Sequence, residues 1–284
     1  MEVILADVMG YCMGVRRAVD CALEALSKND GKKVYSLGPL IHNQTALDTL
    51  AAKGLCVLRE PNIEKLHEDS VVIIRAHGVP PATMSALEAR GCTVLNATCP
   101  RVLASQKNAA KHASLGKTVI LAGDRNHGEV TGIAGFAGEH FVLVESREDA
   151  EALPPLSCRS GAVLLSQTTF SRDEFFAIAD VLSKKIPDLT VFNTICPATQ
   201  ERQEALFRLC PAVDGVLVVG GKNSANTKRL FQIAKENCPC AALIETASEI
   251  PAEFFLLHRI GITAGASTPD DVIHAVRARL EEAR

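Results

Sequence analysis

Asn96-Ala97-Thr98-Cys99-Pro100 returns, little changed, as Asn193-Thr194-Ile195-Cys196-Pro197, with the two cysteines 97 residues apart. Each stretch sets a cysteine and then a proline beyond a strand-like run, Thr93–Asn96 for the first and Thr190–Asn193 for the second. Proline suits the first turn of a helix, so the cysteine takes the N-cap position between strand and helix. A third relative, Gly10-Tyr11-Cys12-Met13-Gly14, lies earlier, its cysteine 87 residues before Cys99. Its glycines permit a tight strand-to-helix turn. A thiol at a helix start faces unsatisfied backbone N–H groups and the positive end of the helix dipole, and both favour thiolate.

The rest of the chain repeats the same unit. Apolar, strand-like runs recur at Val3–Leu5, Val34–Leu37, Cys56–Leu58, Val71–Arg75 and Thr93–Asn96. They continue at Thr118–Ala122, Phe141–Val144, Ala162–Ser166, Thr190–Asn193, Gly215–Val219, Ala241–Ile244 and Gly261–Ala264. Helix-period segments separate most of them; Val15, Ala18, Val19, Ala22, Leu23 and Leu26 make one such stripe. Strand then helix, with nearly continuous apolar strands, predicts parallel sheets covered on both faces. Twelve strands can close one barrel or form several open sheets, and the cysteine spacing favours three similar units of about four strands each.

Composition bounds the function. A chain of 284 residues with 47% hydrophobic content can bury large cores. The formal net charge of -3 offers no basic field for nucleic acid, and no lysine-arginine run suggests a membrane surface. The start, Met1-Glu2-Val3-Ile4-Leu5, reads as a strand rather than a secretory signal, so the expected location is the cytoplasm. Ten cysteines in such a chain do not suggest a disulfide framework. Cys21, Cys56, Cys92, Cys158 and Cys210 read as small buried hydrophobes. Cys238-Pro239-Cys240 is the one close pair and can clip a metal, although no second pair stands near it.

Ligands of open α/β sheets bind beyond the carboxyl ends of the strands. Three thiolates at that edge, one per unit, can converge on one point. They do not match a zinc ribbon, whose ligands come in close pairs. They can hold three irons of a cubane cluster and leave the fourth open, or they are ordinary cysteines near strand ends. Other strand ends carry polar groups: His42 in Gly38-Pro39-Leu40-Ile41-His42-Asn43, His77 in Arg75-Ala76-His77-Gly78, and His127 with Glu129 in Asn126-His127-Gly128-Glu129. Ser166-Gln167-Thr168-Thr169, Lys222-Asn223-Ser224-Ala225-Asn226 and Gly265-Ala266-Ser267 add hydroxyl and amide donors. Glycine-rich turns with serine or asparagine at helix starts suit a phosphate group, but no P-loop signature is present. Glu129 is the one plausible carboxylate of these segments, and otherwise a solvated loop acid.

These stretches resemble the IspH/LytB family, the 4-hydroxy-3-methylbut-2-enyl diphosphate reductases. The matching motifs are G-Y-C-M-G-V-R-R-A, G-P-L-I-H-N, A-H-G-V, A-T-C-P, H-G-E-V, S-Q-T-T, T-I-C-P-A-T-Q-E-R-Q, K-N-S-A-N and T-A-G-A-S-T-P, in order along essentially the whole chain. The resemblance implies an α/β fold, a three-lobed trefoil of small parallel-sheet domains around a central [4Fe-4S] cluster. The lobes would span 13–97, 98–192, and 1–12 with 193–284. It implies that Cys12, Cys99 and Cys196 ligate three irons while the fourth lacks a protein ligand. His42, His77, His127, Ser224, Ala225, Asn226 and Ser267 would surround the diphosphate, with Thr168 near the substrate hydroxyl and Glu129 as the proton source. The implied reaction is a two-electron reductive dehydroxylation to isopentenyl and dimethylallyl diphosphates, the last step of the non-mevalonate isoprenoid route. A reduced ferredoxin or flavodoxin would serve as donor to a monomer.

Two departures bear on the site. Ala225 stands where the family commonly has a second serine, and Gly128 where it often has proline. The rival readings are another three-lobed cluster enzyme, such as a quinolinate-synthase-like dehydratase, and a non-enzymatic cluster sensor. A sensor would not require the Glu129 and phosphate-donor constellation.

Overall fold

The structure is a computed structural model that describes residues 1–41, 43–154 and 160–282, without the side chains of Glu60, Pro61 and Ala225. Every expected run forms a strand: β1 (Glu2–Leu5), β2 (Val34–Leu37), β3 (Leu55–Leu58), β4 (Val71–Ile74), β5 (Thr93–Asn96), β6 (Thr118–Ala122), β7 (Phe141–Val144), β8 (Ala162–Ser166), β9 (Leu189–Val191), β10 (Gly215–Val219), β11 (Cys240–Ile244) and β12 (Arg259–Ala264). The α-helices are α1 (Met13–Ser27), α2 (Gln44–Ala52), α3 (Pro81–Ala89), α4 (Pro100–Ser114), α5 (Gly128–Ala137), α6 (Arg147–Ala152), α7 (Arg172–Lys185), α8 (Pro197–Leu209), α9 (Ala225–Asn237) and α10 (Asp270–Glu282).

Among the described residues, twelve strands make three sheets of four, ordered β3-β2-β4-β5, β7-β6-β8-β9 and β11-β10-β12-β1. Each set uses one pattern: its second strand, first, third, then fourth. The chain's opening strand supplies the fourth position of the last sheet, pairing in parallel with β12. The other registers described are parallel too. In this order the chain leaves the first and third strands of a set toward opposite edges. The first and third strands, β2 and β4, β6 and β8, β10 and β12, therefore flank a topological switch point, where α/β sheets bind ligands.

Burial follows this order. The central strands β4, β8 and β10 are buried along their whole length, as expected of strands covered on both faces. The outer strands β1, β5 and β9 are partly exposed. Strand β3 is also an edge, and this corrects the reading of Cys56 as buried. Leu55 and Leu58 face inward, while Cys56 and Val57 are exposed. Cys210 is buried, Cys21 and Cys92 are half-buried, and Cys158 lies outside the described residues.

By packing, the protein divides into two compact units. One comprises Met1–Ser27, Pro39–Cys56 and Pro197–Arg284, and holds the sheet of β10, β11, β12 and β1. Its cores gather Leu206, Val216, Val218, Leu230 and Ile233 on one face of the sheet, and Leu217, Val219, Phe254, Ile262 and Val276 on the other. The other unit comprises Lys28–Gly38 and Val57–Cys196. Its clusters are built on Ile120, Leu164, Phe175 and Leu182, on Val119, Leu121, Ile133 and Val163, and on Leu37, Ile74 and Leu87.

The asparagines of the two repeated stretches also have a structural role. Asn96 Oδ1 accepts the Thr98 N–H at 3.0 Å, and Asn193 Oδ1 accepts the Ile195 N–H at 3.1 Å. Each is an Asx turn that bends the chain out of its strand before the cysteine. This shortens the expected strand Thr190–Asn193, which ends at Val191. Among the described residues no helix is long and apolar enough to cross a membrane.

Leu164 is fully buried at the centre of β8. Leu164→Ala should cost about 2–5 kcal/mol, by lost transfer energy and the cavity left behind. Urea denaturation reads this directly; a loss below about 1 kcal/mol would contradict the packing.

Candidate active site

The three special cysteines are half-buried thiols at helix starts. Cys99 is the N-cap of α4, with Pro100 opening the helix and no side-chain cap bond. Cys196 directly precedes Pro197, the first residue of α8. Cys12 directly precedes α1, and its Sγ accepts the Val15 N–H at 3.5 Å. Gly10, with φ of +70°, makes the turn before it.

One contact recurs at all three. The Cys99 N–H donates to the Ala76 carbonyl at 2.9 Å, that of Cys196 to Thr168 at 2.7 Å, and that of Cys12 to Ala266 at 3.0 Å. Ala76, Thr168 and Ala266 each stand two residues beyond the end of the neighbouring strand, β4, β8 and β12. Each cysteine, carried on the fourth strand of a set, is thus tied to the loop leaving the third. Those loops carry His77, Thr168 itself and Ser267.

In the unit containing Val57–Cys196, the acid and its partners come together. Glu129 sits in the first turn of α5, only 1% exposed, and so is not a solvated loop acid. Thr168 donates to it twice, through its hydroxyl to Oε2 at 2.7 Å and through its N–H to Oε1 at 2.8 Å. Burial pushes the Glu129 carboxyl up to about 7, against the two Thr168 bonds, which lower it. Desolvation wins because a buried carboxylate loses its hydration. His127 caps α5, its Nδ1 accepting the Glu129 N–H at 3.2 Å. That acceptor role leaves the proton of the neutral ring on Nε2. The His77 ring meets the His127 ring edge-on, with centroids 5.0 Å apart.

Gln167 and Arg75 support this group, and the sequence alone assigned neither a role. The fully buried Gln167 accepts the Asp124 N–H through Oε1 at 2.9 Å, and donates through Nε2 to Asp124 Oδ2 at 3.1 Å and Thr169 Oγ1 at 2.7 Å. It fastens the loop before His127 to the loop bearing Thr168. The bare backbone of Gly123 allows that approach, since a Cβ there would lie 2.9 Å from Val130 and 3.1 Å from Gln167. Arg75 explains Gly128. A Cβ on Gly128 would lie 2.6 Å from Arg75 Nη2, and one on Gly38 would lie 2.6 Å from Nη1. The guanidinium fills the room that a side chain at position 128 would need.

In the other unit, Ser224 caps α9, accepting the Thr227 N–H at 3.3 Å. That leaves its hydroxyl proton to donate. Among the described residues, Asn226 buries both Nδ2 and Oδ1 without a hydrogen-bond partner, and the Thr227 and Thr263 hydroxyl oxygens share that condition. An unsatisfied buried amide costs about 1–3 kcal/mol, so such a group at a helix start is suited to a polar ligand. Gly220, with φ of +149°, and Gly265 lie against the hydroxyls of Thr227 and Thr268. Thr268 in turn donates to the Val219 carbonyl at 2.9 Å. Ser267 is buried beside the carbonyl that holds Cys12. His42 lies outside the described residues, as does the side chain of Ala225.

Among the described residues, no three histidine, cysteine or carboxylate side chains gather closely enough to hold a single metal ion. Cys238 and Cys240 are reduced thiols, Cys238 buried in a core cluster.

Cysteines beyond the edge strands, with a buried carboxyl of raised pKa at a switch point, point to an α/β enzyme rather than a simple binding module. Residues 3–281 match the model of the LytB protein family. The chain belongs to that family. A Treponema denticola protein named 4-hydroxy-3-methylbut-2-enyl diphosphate reductase is 50% identical, covering 99% of this chain and 100% of its own length. An Aquifex aeolicus protein of the same name is 40% identical, covering 99% and 96%. A solved structure of (E)-4-hydroxy-3-methyl-but-2-enyl diphosphate reductase, described as the terminal enzyme of the non-mevalonate pathway, superposes with a TM-score of 0.79. It has 38% identity, over 99% of this chain and 100% of that one. The Plasmodium falciparum reductase structure gives a TM-score of 0.86 at 28% identity, over 96% and 86%.

Two outcomes follow from this geometry. Because the Glu129 carboxyl is raised in the folded state, folding favours its protonated form. That stabilisation is complete below about pH 4.5, declines above it, and is gone once pH passes about 7. Glu129→Gln lacks the titration, so its stability relative to wild type should rise by up to roughly 3 kcal/mol between pH 4.5 and pH 8. Urea midpoints across that range would show it, and a constant difference would place the carboxyl in water. Gly128→Ala should cost no more than about 1 kcal/mol, because the tip of the flexible Arg75 side chain must move aside, and adding Arg75→Ala should remove most of that cost. Equal penalties in both backgrounds would mean that the guanidinium does not occupy this space.

Proposed function

We propose that this chain carries the activity named for its relatives, reducing 4-hydroxy-3-methylbut-2-enyl diphosphate to isopentenyl and dimethylallyl diphosphates. One observation carries the reading: the buried Glu129 carboxyl is bonded to Thr168, whose carbonyl holds the amide of Cys196. A proton store, a hydroxyl able to pass protons and a thiol ligand stand in one short chain.

Cys12, Cys99 and Cys196 are proposed to hold three irons of a [4Fe-4S] cluster. The donor set fits: all three are reduced thiols at helix starts, and thiolates are the usual ligands of such clusters. Three thiolates would leave one iron without a protein ligand. When bound, the cluster would pass on, one at a time, two electrons delivered by a reduced donor protein, and would offer a Lewis-acidic site to the departing hydroxyl.

The protein's own part is to grip, orient and protonate. His77, His127, Ser224, Asn226 and Ser267 are proposed to bind the diphosphate, with His42 and Ala225 joining them on motif alone. The His127 ring, with Nδ1 occupied by the Glu129 N–H, presents an Nε2 proton to a phosphate oxygen. At neutral pH the Glu129 carboxyl is partly protonated, so it can give a proton and take another within one turnover. The Thr168 hydroxyl donates to the carboxylate and accepts from the carboxylic acid, so the bond persists in both states. The reading further includes a ferredoxin- or flavodoxin-like donor, a monomer and the cytoplasm.

Anaerobic reconstitution with iron and sulfide, then product analysis with the allylic diphosphate, tests the whole reading. Serine replacements of Cys12, Cys99 or Cys196 should each lower bound iron and abolish turnover. A full, active cluster in any of them would remove that residue from the ligand set. Glu129→Gln should keep cluster and substrate binding but slow turnover by about 10²–10⁴-fold. A loss under tenfold would put the proton source elsewhere.

A further inference from the structure

Arg202 is buried, only 3% exposed, and spans two segments distant in sequence. Its Nη1 donates to the Ala198 carbonyl at 2.8 Å, and its Nη2 donates to the Gly10 carbonyl at 2.8 Å. Ala198 stands two residues after Cys196, and Gly10 two residues before Cys12. We infer that Arg202 is a positioning residue for the cluster, clamping the Cys12 turn to the first turn of the helix that follows Cys196. The inference rests on the proposed reading of those cysteines as ligands.

The chemistry of the fork explains the choice of residue. A planar guanidinium presents rigid, diverging N–H groups, so one side chain can satisfy two carbonyls from different segments at once. A lysine ammonium is a single point charge on a flexible stem and holds such a pair less firmly. Burying a guanidinium is costly unless carbonyl or carboxylate oxygens solvate it, so it is retained where its bonds fix something. Here it joins other restraints on one turn. Gly10 adopts a φ of +70°, and the turn is also held by the Cys12 N–H on Ala266, by the Cys12 carbonyl, which accepts the Arg16 N–H at 2.9 Å, and by the Cys12 Sγ, which accepts the Val15 N–H at 3.5 Å. A ligand set assembled from distant segments keeps its spacing only if those segments are cross-tied. The motif T-I-C-P-A-T-Q-E-R-Q contains this arginine six residues after its cysteine, but nothing in the sequence says where its guanidinium goes.

The experiment compares wild type, Arg202→Lys and Arg202→Gln, each reconstituted anaerobically. The readouts are iron and sulfide per chain, the rate of iron removal by a chelator, and the melting temperatures of apo- and cluster-loaded protein. Arg202→Gln should lose iron at least tenfold faster than wild type, and the extra stability conferred by the cluster should shrink more than apo-protein stability falls. Arg202→Lys should lie between the two. Gly10→Ala strains the same turn from its other side and should speed iron loss similarly, which keeps the test open if Arg202→Gln does not fold. Combining it with Arg202→Lys should add little to either, because both loosen one link. Wild-type iron content and chelation rate in Arg202→Gln, or equal melting losses with and without the cluster, would overturn the clamp. A wild-type protein that takes up no iron would instead overturn the ligand assignment on which the clamp depends.

Discussion

The hydrogen bond from each special cysteine's amide to the carbonyl two residues past the neighbouring strand organises this protein's chemistry. A cysteine at the end of an outer strand would otherwise sit on the least restrained part of the sheet. The bond ties it to the loop leaving the strand beside it, and that loop carries the polar residue expected to meet the ligand. The arrangement recurs with Ala76, Thr168 and Ala266 as acceptors. It requires only parallel pairing in register, which the buried strands β4, β8 and β12 enforce through their apolar side chains.

The same strand order separates two kinds of work. The segment after the fourth strand of each set carries a thiol, the proposed soft ligand. The first and third strands end in loops at the switch point, and those loops hold the histidines, hydroxyls and amides. Close approach there is bought with glycine: Gly123 under Gln167, Gly265 against Thr227, and Gly128 against Arg75. The local polar groups are then satisfied within the protein or left without a partner among the described residues. Glu129 belongs to the first kind, bonded twice by Thr168, and Asn226 to the second.

Much of this was legible in the sequence because it rests on pattern. Apolar runs and proline-marked helix starts located the twelve strands of the described residues and the N-cap position of Cys99. Where the reading failed, it lacked neighbours. Cys56 was read as buried because its run is apolar, yet β3 is an outer strand and turns that residue to solvent. The depth of Glu129 was invisible because it depends on Thr168, distant in sequence. Gln167 and Arg202 stood inside quoted motifs without a role, since a side chain's partners across the fold leave no local periodicity. Gly128 read as a bare departure from a family pattern until Arg75 was seen to fill its space.

The placement of these groups also says where catalytic leverage lies. On the proposed reaction the diphosphate is unchanged from substrate to product, so every contact to it is made equally by both. Such uniform binding orients the molecule but does not by itself lower the barrier. The changing end is the hydroxyl, and only there can a group bind the transition state better than the ground state. On the same reading, the buried, strongly perturbed Glu129 carboxyl would serve that end through Thr168, and neutral donors such as the Ser224 hydroxyl would grip the diphosphate. A grip of short, fixed side chains also costs less entropy on binding than a cluster of mobile lysines would. Tightening the diphosphate grip would therefore hold product as firmly as substrate, whereas loosening the Glu129–Thr168 bond would cost the chemical step itself.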